Sequence, residues 1–354
     1  MSTNAEPVAL TQFAHGAGCG CKIAPQVLKE ILYSNQTQTN FENLLVGYGS
    51  NDDAAVYDLG NGEALISTVD FFMPIVDDAF DFGRVAAANA ISDVYAMGGK
   101  PNMALAILGW PVNKLPTSLA QRVLEGARSI CALAGIPMAG GHSIDTLEPM
   151  FGLSVNGLMK VENLKKNNTA QEGDFIFMTK PLGVGIFSTA QKRGLIKSED
   201  SVRLTAQLIQ LNSIGEKFGK IRGVTAMTDI TGFGLLGHII EMAEGSGLTA
   251  VIDYEQIPKM EGLSYYIEQK IVPDATYRNW NAYSKHVAFG DGVNVTEAFQ
   301  VLPDPQTNGG LLLTVKEEYL AEVINLMKQN ELLQFTKPIG RMMKKEVTTI
   351  RVEK

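Results

Sequence analysis

Apolar strand-like runs and helical runs follow one another along this chain without the strict alternation that builds a doubly wound sheet. That irregular order is its strongest constraint, and it predicts an α+β fold. Residues 54–57 and 64–69 predict two strands joined across the turn-forming Gly60-Asn61-Gly62, so that Asp53 and Asp70 fall at strand ends. Residues 25–33 predict a short helix, and 82–97 a helix of small residues stopped by Gly98-Gly99. An apolar strand over 103–108 follows, with further strands over 136–139 and 150–159. Between them Leu119, Val123, Ala127, Ile130, Cys131 and Ala134 recur at helical spacing over 118–134, which makes Cys131 a core residue.

The polar, charged stretch 161–173, containing Lys165-Lys166-Asn167-Asn168, interrupts this pattern and marks a domain boundary. At 354 residues, two domains is also the natural expectation. The second half predicts strands over 175–178, 250–254 and 310–315, helices over 201–218 and 317–329 and another ending at Ala243, a turn-rich segment over 227–234, and a terminal strand pair. A net charge of -8, with lysine pairs only at 165–166 and 344–345, offers no footprint for a nucleic-acid backbone. Three cysteines cannot build a disulfide framework, no cleavable signal opens the chain, and no apolar run reaches the roughly 20 residues that span a bilayer. A reducing cytoplasm is the expected compartment.

Reactive groups concentrate in His15-Gly16-Ala17-Gly18-Cys19-Gly20-Cys21-Lys22. A thiol reacts as its thiolate, which the ammonium of Lys22 favours, and glycines beside Cys19 allow close approach to a ligand. A Cys19–Cys21 disulfide would be strained, and a metal would find only His15 in addition, so a reactive thiol ranks above a metal site. An ordinary poorly ordered N-terminus remains the plain alternative.

A second group of residues is acidic: Asp52-Asp53-Ala54-Ala55, Asp70, Ser92-Asp93, and Thr228-Asp229 before Ile230-Thr231-Gly232-Phe233-Gly234. Carboxylates repel a polyphosphate, so a cluster of them near one makes sense only with Mg²⁺ between. Taken singly, each reads as a helix cap or turn residue ahead of a ligand. Ala139-Gly140-Gly141-His142-Ser143 and Asp304-Pro305-Gln306-Thr307-Asn308-Gly309-Gly310 read as glycine-rich turns whose N–H groups could face phosphate. Neither a P-loop nor a Rossmann fingerprint is present. His142 reads as a turn residue or a ligand contact, and His238 and His286 have no partner visible in the pattern.

Together, residues 15–22, 51–56, 70–72, 139–143, 227–234 and 304–311 resemble the selenophosphate synthetases, or selenide, water dikinases, over nearly the whole chain. Asp-Asp-Ala-Ala and Asp-Pro-Gln-Thr are shared across the wider aminoimidazole ribonucleotide synthetase-like superfamily, whereas Gly-Cys-Gly-Cys-Lys is specific to this family. The resemblance implies phosphoryl transfer from ATP to selenide, giving selenophosphate, AMP and orthophosphate and supplying selenium for selenocysteine and selenouridine. It matches Cys19 and Lys22 to the catalytic pair, and Asp53, Asp93 and Asp229 to the Mg²⁺ ligands. It matches Lys22, Gly49, Ser50, Asn51, Asp52, Asp70, Asp93, Gly141, His142 and Ser143 to the ATP contacts. It further implies a possible K⁺ requirement, selenide or a selenium-delivery protein as donor, and a homodimer of two-domain α+β subunits whose N-terminal halves pair into a β-barrel. The implied divisions are a flexible glycine-rich catalytic segment over 1–50, an ATP-binding, metal-binding and dimerisation domain over 51–160, and a C-terminal domain over 170–354. Asn308 departs from the serine expected there, and Cys19 stands where some relatives use selenocysteine. A superfamily kinase or ligase acting on a carbon substrate would lack the N-terminal thiol, and a non-catalytic nucleotide binder would lose Cys19, Lys22 or the aspartates. A thiol redox protein would have no need of the aspartates and would carry Cys-x-x-Cys.

Overall fold

The computed structural model describes residues 8–14, 16–23, 27, 30–31, 41–47 and 52–354. Its first half is a six-stranded sheet in the order β1-β2-β3-β6-β4-β5. The strands are β1 (Leu44–Val46), β2 (Ala55–Asp58), β3 (Glu63–Phe72), β4 (Lys100–Trp110), β5 (Met138–Asp145) and β6 (Met150–Lys160). All neighbours are antiparallel except the β4–β5 edge pair. Period-two alternation turns Val56, Ala64, Ile66, Ala104, Phe151, Leu153 and Val155 into the core, while Tyr57, Val69, Phe71, Leu105 and Leu158 lie exposed on the opposite face.

Helices α1 (Ala79–Ala96) and α2 (Thr117–Leu133) cover the inner face. Asp78 starts α1 by accepting the Asp81 N–H, and Met97-Gly98 ends it with Gly98 at φ +81°. Small residues let the two helices approach closely: a Cβ on Gly126 would stand 1.9 Å from the Phe80 carbonyl oxygen.

The second half begins with β7 (Phe175–Met178), α3 (Val184–Lys192), α4 (Ser198–Leu208), α5 (Ile214–Gly219), β8 (Val224–Asp229) and α6 (Gly234–Gly245). It continues through β9 (Leu248–Asp253), α7 (Leu263–Glu268), α8 (Asp274–Tyr283), β10 (Val287–Phe289), α9 (Val295–Val301) and β11 (Leu311–Val315). It ends with α10 (Leu320–Gln329), β12 (Gly340–Lys344) and β13 (Ile350–Glu353). The seven strands are ordered β10-β13-β9-β12-β7-β11-β8, with every residue of β11 buried. The mixed, non-alternating topology is the α+β arrangement expected from the sequence. Helix α1 also packs on β8 and α5, so the two sheets face a common helix. No helix among the described residues is long and apolar enough to cross a membrane.

Several local expectations differ from the structure. Residues 201–218 form two helices, not one, because Asn212 breaks the run to donate to Ser92 Oγ and to the Gly309 carbonyl, each at 2.8 Å. Residues 140–143 are not a turn but part of β5, where Gly141 is needed because a Cβ would stand 2.1 Å from the Ala106 carbonyl oxygen. Residues 227–229 finish β8, and the turn starts only at Ile230. The terminal strands do not pair with each other: β12 and β13 flank β9. Of the helix over 25–33 only Val27, Glu30 and Ile31 are described, and they are helical. The polar stretch between β6 and β7 packs against the body: Lys165 and Asn167 are buried, and Lys165 Nζ donates to the Ile221 carbonyl at 2.9 Å.

Candidate active site

Four carboxylates from separate elements meet between the two sheets. Asp53 precedes β2, Asp70 lies on β3, Asp93 on α1, and Asp229 ends β8. Thr68 and Asp70, two residues apart on one strand, share a face, and Asn89, Ser92 and Asp93 form one stripe of α1. Each acid has a fixed donor. Thr228 Oγ1 donates to Asp53 at 2.7 Å, Asn89 Nδ2 to Asp70 at 2.6 Å, and Thr68 Oγ1 to Asp93 at 2.5 Å. Ser92 Oγ donates to Asp229 at 2.5 Å.

Burial, then the Asp229 charge, holds the Asp53 carboxyl well above the usual range. Asp93 is likewise raised by burial, then by Asp70, Asp229 and Asp53. Asp229 is pushed up to about 6 by burial, with Ser92, Lys22 and Lys180 opposing. Such mutual repulsion is relieved when a cation enters. Asp53 Oδ2 is buried with no hydrogen-bond partner among the described residues, an oxygen available for that purpose. Among the described residues no three acidic, histidine or cysteine side chains form a ready-made metal cage. Mg²⁺ typically takes one or two carboxylates and completes its shell with phosphate oxygens and water. The aspartates therefore fit Mg²⁺ brought together with a polyphosphate.

Lys22 is exposed beside this cluster. Its Nζ donates to Thr231 Oγ1 at 3.4 Å and stands 5.9 Å from the centre of the Phe233 ring. His238 has a partner after all: its Nε2 accepts the Thr231 N–H at 3.1 Å, and burial, then Lys22, lowers its pKa to about 3, so it stays neutral. His286 Nδ1 stands 2.8 Å from Glu244 Oε1, remote from the aspartates in the chain fold. The backbone of Gly18–Cys21 is a 3₁₀ turn docked on the body, with the Gly18 N–H donating to the Met73 carbonyl at 3.1 Å. The side chains of Cys19 and Cys21, together with His15, Gly49, Ser50 and Asn51, lie outside the described residues.

Not every expected contact gathers here. Asp52 is half-buried and accepts the Asn167 N–H at 2.8 Å. Gly141, His142 and Ser143 are exposed on the edge strand β5, with β6 and β4 between them and β3. At the usual strand spacing that is ~14 Å from the strand of Asp70. In the loop 304–310 the Gln306 and Asn308 N–H groups are turned inward, going to the Thr231 carbonyl at 2.9 Å and Asn89 Oδ1 at 2.7 Å. Asn308 adopts φ +48° and donates through Nδ2 to the Leu208 and Gln210 carbonyls, which explains an amide at this position.

Thr68, Asn89, Asn212 and Lys180 support the site without having been singled out in the sequence. Asn89 carried a signal, a polar residue one turn before Ser92-Asp93 in an alanine-rich helix. Lys180 carried none. It is buried, donates to the Gln210 and Asn308 carbonyls at 2.7 and 2.8 Å, and burial lowers its pKa to about 7.

Comparison with known proteins places these features in a family. Residues 51–159 match the AIR synthase related protein N-terminal domain, and residues 171–353 match the corresponding C-terminal domain. The chain is 51% identical over 348 residues to the selenide, water dikinase of Haemophilus influenzae, covering 98% of this chain and 99% of that protein. It is 55% identical over 323 residues to that of Escherichia coli K12, covering 91% of each. A thiamine-monophosphate kinase structure from Stenotrophomonas maltophilia shares the fold with a TM-score of 0.63 at 19% identity, over 88% of this chain and 91% of that one. A structure of the hydrogenase maturation protein HypE in complex with ATP gives a TM-score of 0.61 at 17% identity, over 95% and 90%.

Proposed function

The chain belongs to the selenide, water dikinase family, and on that premise we propose that its phosphoryl chemistry is carried by Asp53, Asp93 and Asp229 together with Lys22. It makes selenophosphate from selenide, ATP and water, releasing AMP and orthophosphate. The observation that carries the residue assignment is the convergence of carboxylates, with Asp53 Oδ2 buried and unpartnered among the described residues, beside Lys22.

Phosphoryl transfer asks a protein for positioning and charge neutralisation more than for covalent chemistry. Mg²⁺, when bound, neutralises the triphosphate; Asp53, Asp93 and Asp229 would hold it, with Asp70 adding negative charge nearby. Lys22 supplies positive charge to the transferring group, and the Thr231 turn, braced by neutral His238, sets where that ammonium rests. Hydrogenselenide is itself a good nucleophile, so Cys19 is assigned to holding or delivering selenium, with the glycine-rich segment excluding water as a lid. Gly49, Ser50, Asn51 and Asp52 are assigned to ATP, and so are Gly141, His142 and Ser143, the latter group completing the site of a partner subunit. The exposed apolar face of the first sheet, formed by Tyr57, Val69, Phe71, Leu105 and Leu158, supports such a homodimer with the sheets closing into a barrel. A cytoplasmic setting completes the reading.

Anaerobic ³¹P NMR with Mg²⁺ and ATP, with and without selenide, tests it. Wild-type protein gives a selenide-dependent phosphorus–selenium resonance with matching AMP. Asp53→Asn, Asp93→Asn and Lys22→Ala each lower that rate on the order of 10²-fold or more. Full activity in Asp53→Asn or Asp93→Asn would remove the metal assignment, and full activity in Cys19→Ser would remove the selenium role of that thiol. Replacing K⁺ by Na⁺ in the same tubes reads the monovalent-cation requirement. A Phe71→Asp protein that sediments as wild type does would refute the dimer face.

A further inference from the structure

A cavity of about 520 Å³ opens beside the glycine-rich segment, between its backbone, α3 and the start of α8. Lys22, Lys192, Arg193 and Arg278 line it, against one carboxylate, Asp274. In a chain of net charge -8 this is a local reversal of sign, and such a concavity gathers small anions. Its remaining wall includes the apolar rings of Pro273 and Pro305. Two of the cations also hold the segment in place: Lys192 Nζ donates to the Ala14 and Gly16 carbonyls at 3.0 and 3.3 Å, and Arg278 Nη2 to the Gly20 carbonyl at 2.7 Å. The cavity thus adjoins the backbone of Cys19. Lys22 connects it to the aspartates, because the same side chain that lines the cavity reaches Thr231, two residues beyond Asp229.

We propose that this cavity is the docking site of the selenium reagent, taken as the small monoanion hydrogenselenide before transfer. The proposal rests on the dikinase reading and adds to it a second subsite, separate from the carboxylates that hold the metal and nucleotide. The chemistry selects the occupant. A polyphosphate with its metal seeks the carboxylates, whereas a soft, weakly hydrated monoanion is satisfied by cations spread around a partly apolar wall. Orthophosphate, also a small anion of this reaction, is the competing occupant.

The test measures selenide and ATP kinetics anaerobically on the full-length protein by ³¹P NMR. Arg193 is exposed, so Arg193→Gln removes one cation without opening the core. The expected result is a rise in KM for selenide of roughly three- to tenfold, with ATP affinity by equilibrium titration held within about twofold. Arg193→Lys restores the selenide KM. Lys328→Gln, on α10 outside the cavity, removes the same charge and leaves the selenide KM in place. An unchanged selenide KM in Arg193→Gln overturns the proposal, as does an equal rise in Lys328→Gln. Weakened product inhibition by orthophosphate with the selenide KM unmoved would assign the cavity to phosphate instead, and also overturns it. Failure of the dikinase reading itself looks different, since wild-type protein would then form no selenophosphate at all.

Discussion

Replacing Asp229 with asparagine removes a charge that the metal-free fold holds at a cost. Burial pushes this carboxyl to about 6 from an ordinary 3.8, just over two pH units. At 1.36 kcal/mol per unit, that is about 3 kcal/mol. The folded state binds this proton more tightly than the unfolded chain, so stability falls as pH climbs from about 4 to about 6, and the whole penalty is present at pH ~7. Asparagine keeps an oxygen for the Ser92 hydroxyl while losing the charge. Lys22 and Lys180 lose a countercharge in the exchange, so 3 kcal/mol is a ceiling. With an unfolding entropy of about 2.1 cal/mol/K per residue over 354 residues, the ceiling corresponds to a Tm gain of about 4 °C. Calorimetry in chelator should show Asp229→Asn melting above wild type at pH ~7, with the gap closing near pH ~4. Adding Mg²⁺ and ATP should reverse the order, because only wild type gains the full binding free energy. A variant that melts below wild type in chelator at neutral pH, or a gap independent of pH, would refute this electrostatic account.

Three further outcomes follow from packing and burial. Gly126→Ala drives a methyl into the Phe80 carbonyl and should cost roughly 1–3 kcal/mol, read as a lower Tm by circular dichroism; an unchanged Tm would mean that the helices part freely. Asn308→Ser, which installs the serine that the family resemblance leads one to expect, removes the amide donor from the buried Leu208 carbonyl and one of two donors, the other being Lys180 Nζ, from the part-buried Gln210 carbonyl. It should lose about 1–3 kcal/mol in urea unfolding, and equal stability would count against the bracing role. Cys131 is 1% exposed and burial pushes its thiol up to about 11, so iodoacetamide at pH ~8 should spare it in native protein and label it in urea. Peptide mapping that finds it modified at a free-thiol rate in native protein would contradict that burial.

Strands were legible where one face is buried, because alternation over 54–57 and 64–69 is a local signal that needs no knowledge of partners. Helices α1 and α2 were legible through periodicity and the glycines that stop them. The split at 209–213 was not, since Asn212 leaves the helix only to satisfy groups on α1 and the loop before β11. The same distinction runs through the site. The aspartates stood out as residue types, and the family resemblance proposed their roles.

By itself, then, the sequence determined an α+β chain with acidic residues at strand and helix ends and a cysteine–lysine pair in a glycine-rich segment. Only the tertiary structure decided which of these residues share one buried volume. Ser92 meets Asp229 across 137 positions of sequence, and Lys22 meets Thr231 across 209. The physical reason is that a carboxylate's burial, donors and neighbouring charges come from elements that touch only once the sheets have closed on α1, and no local pattern encodes that sum.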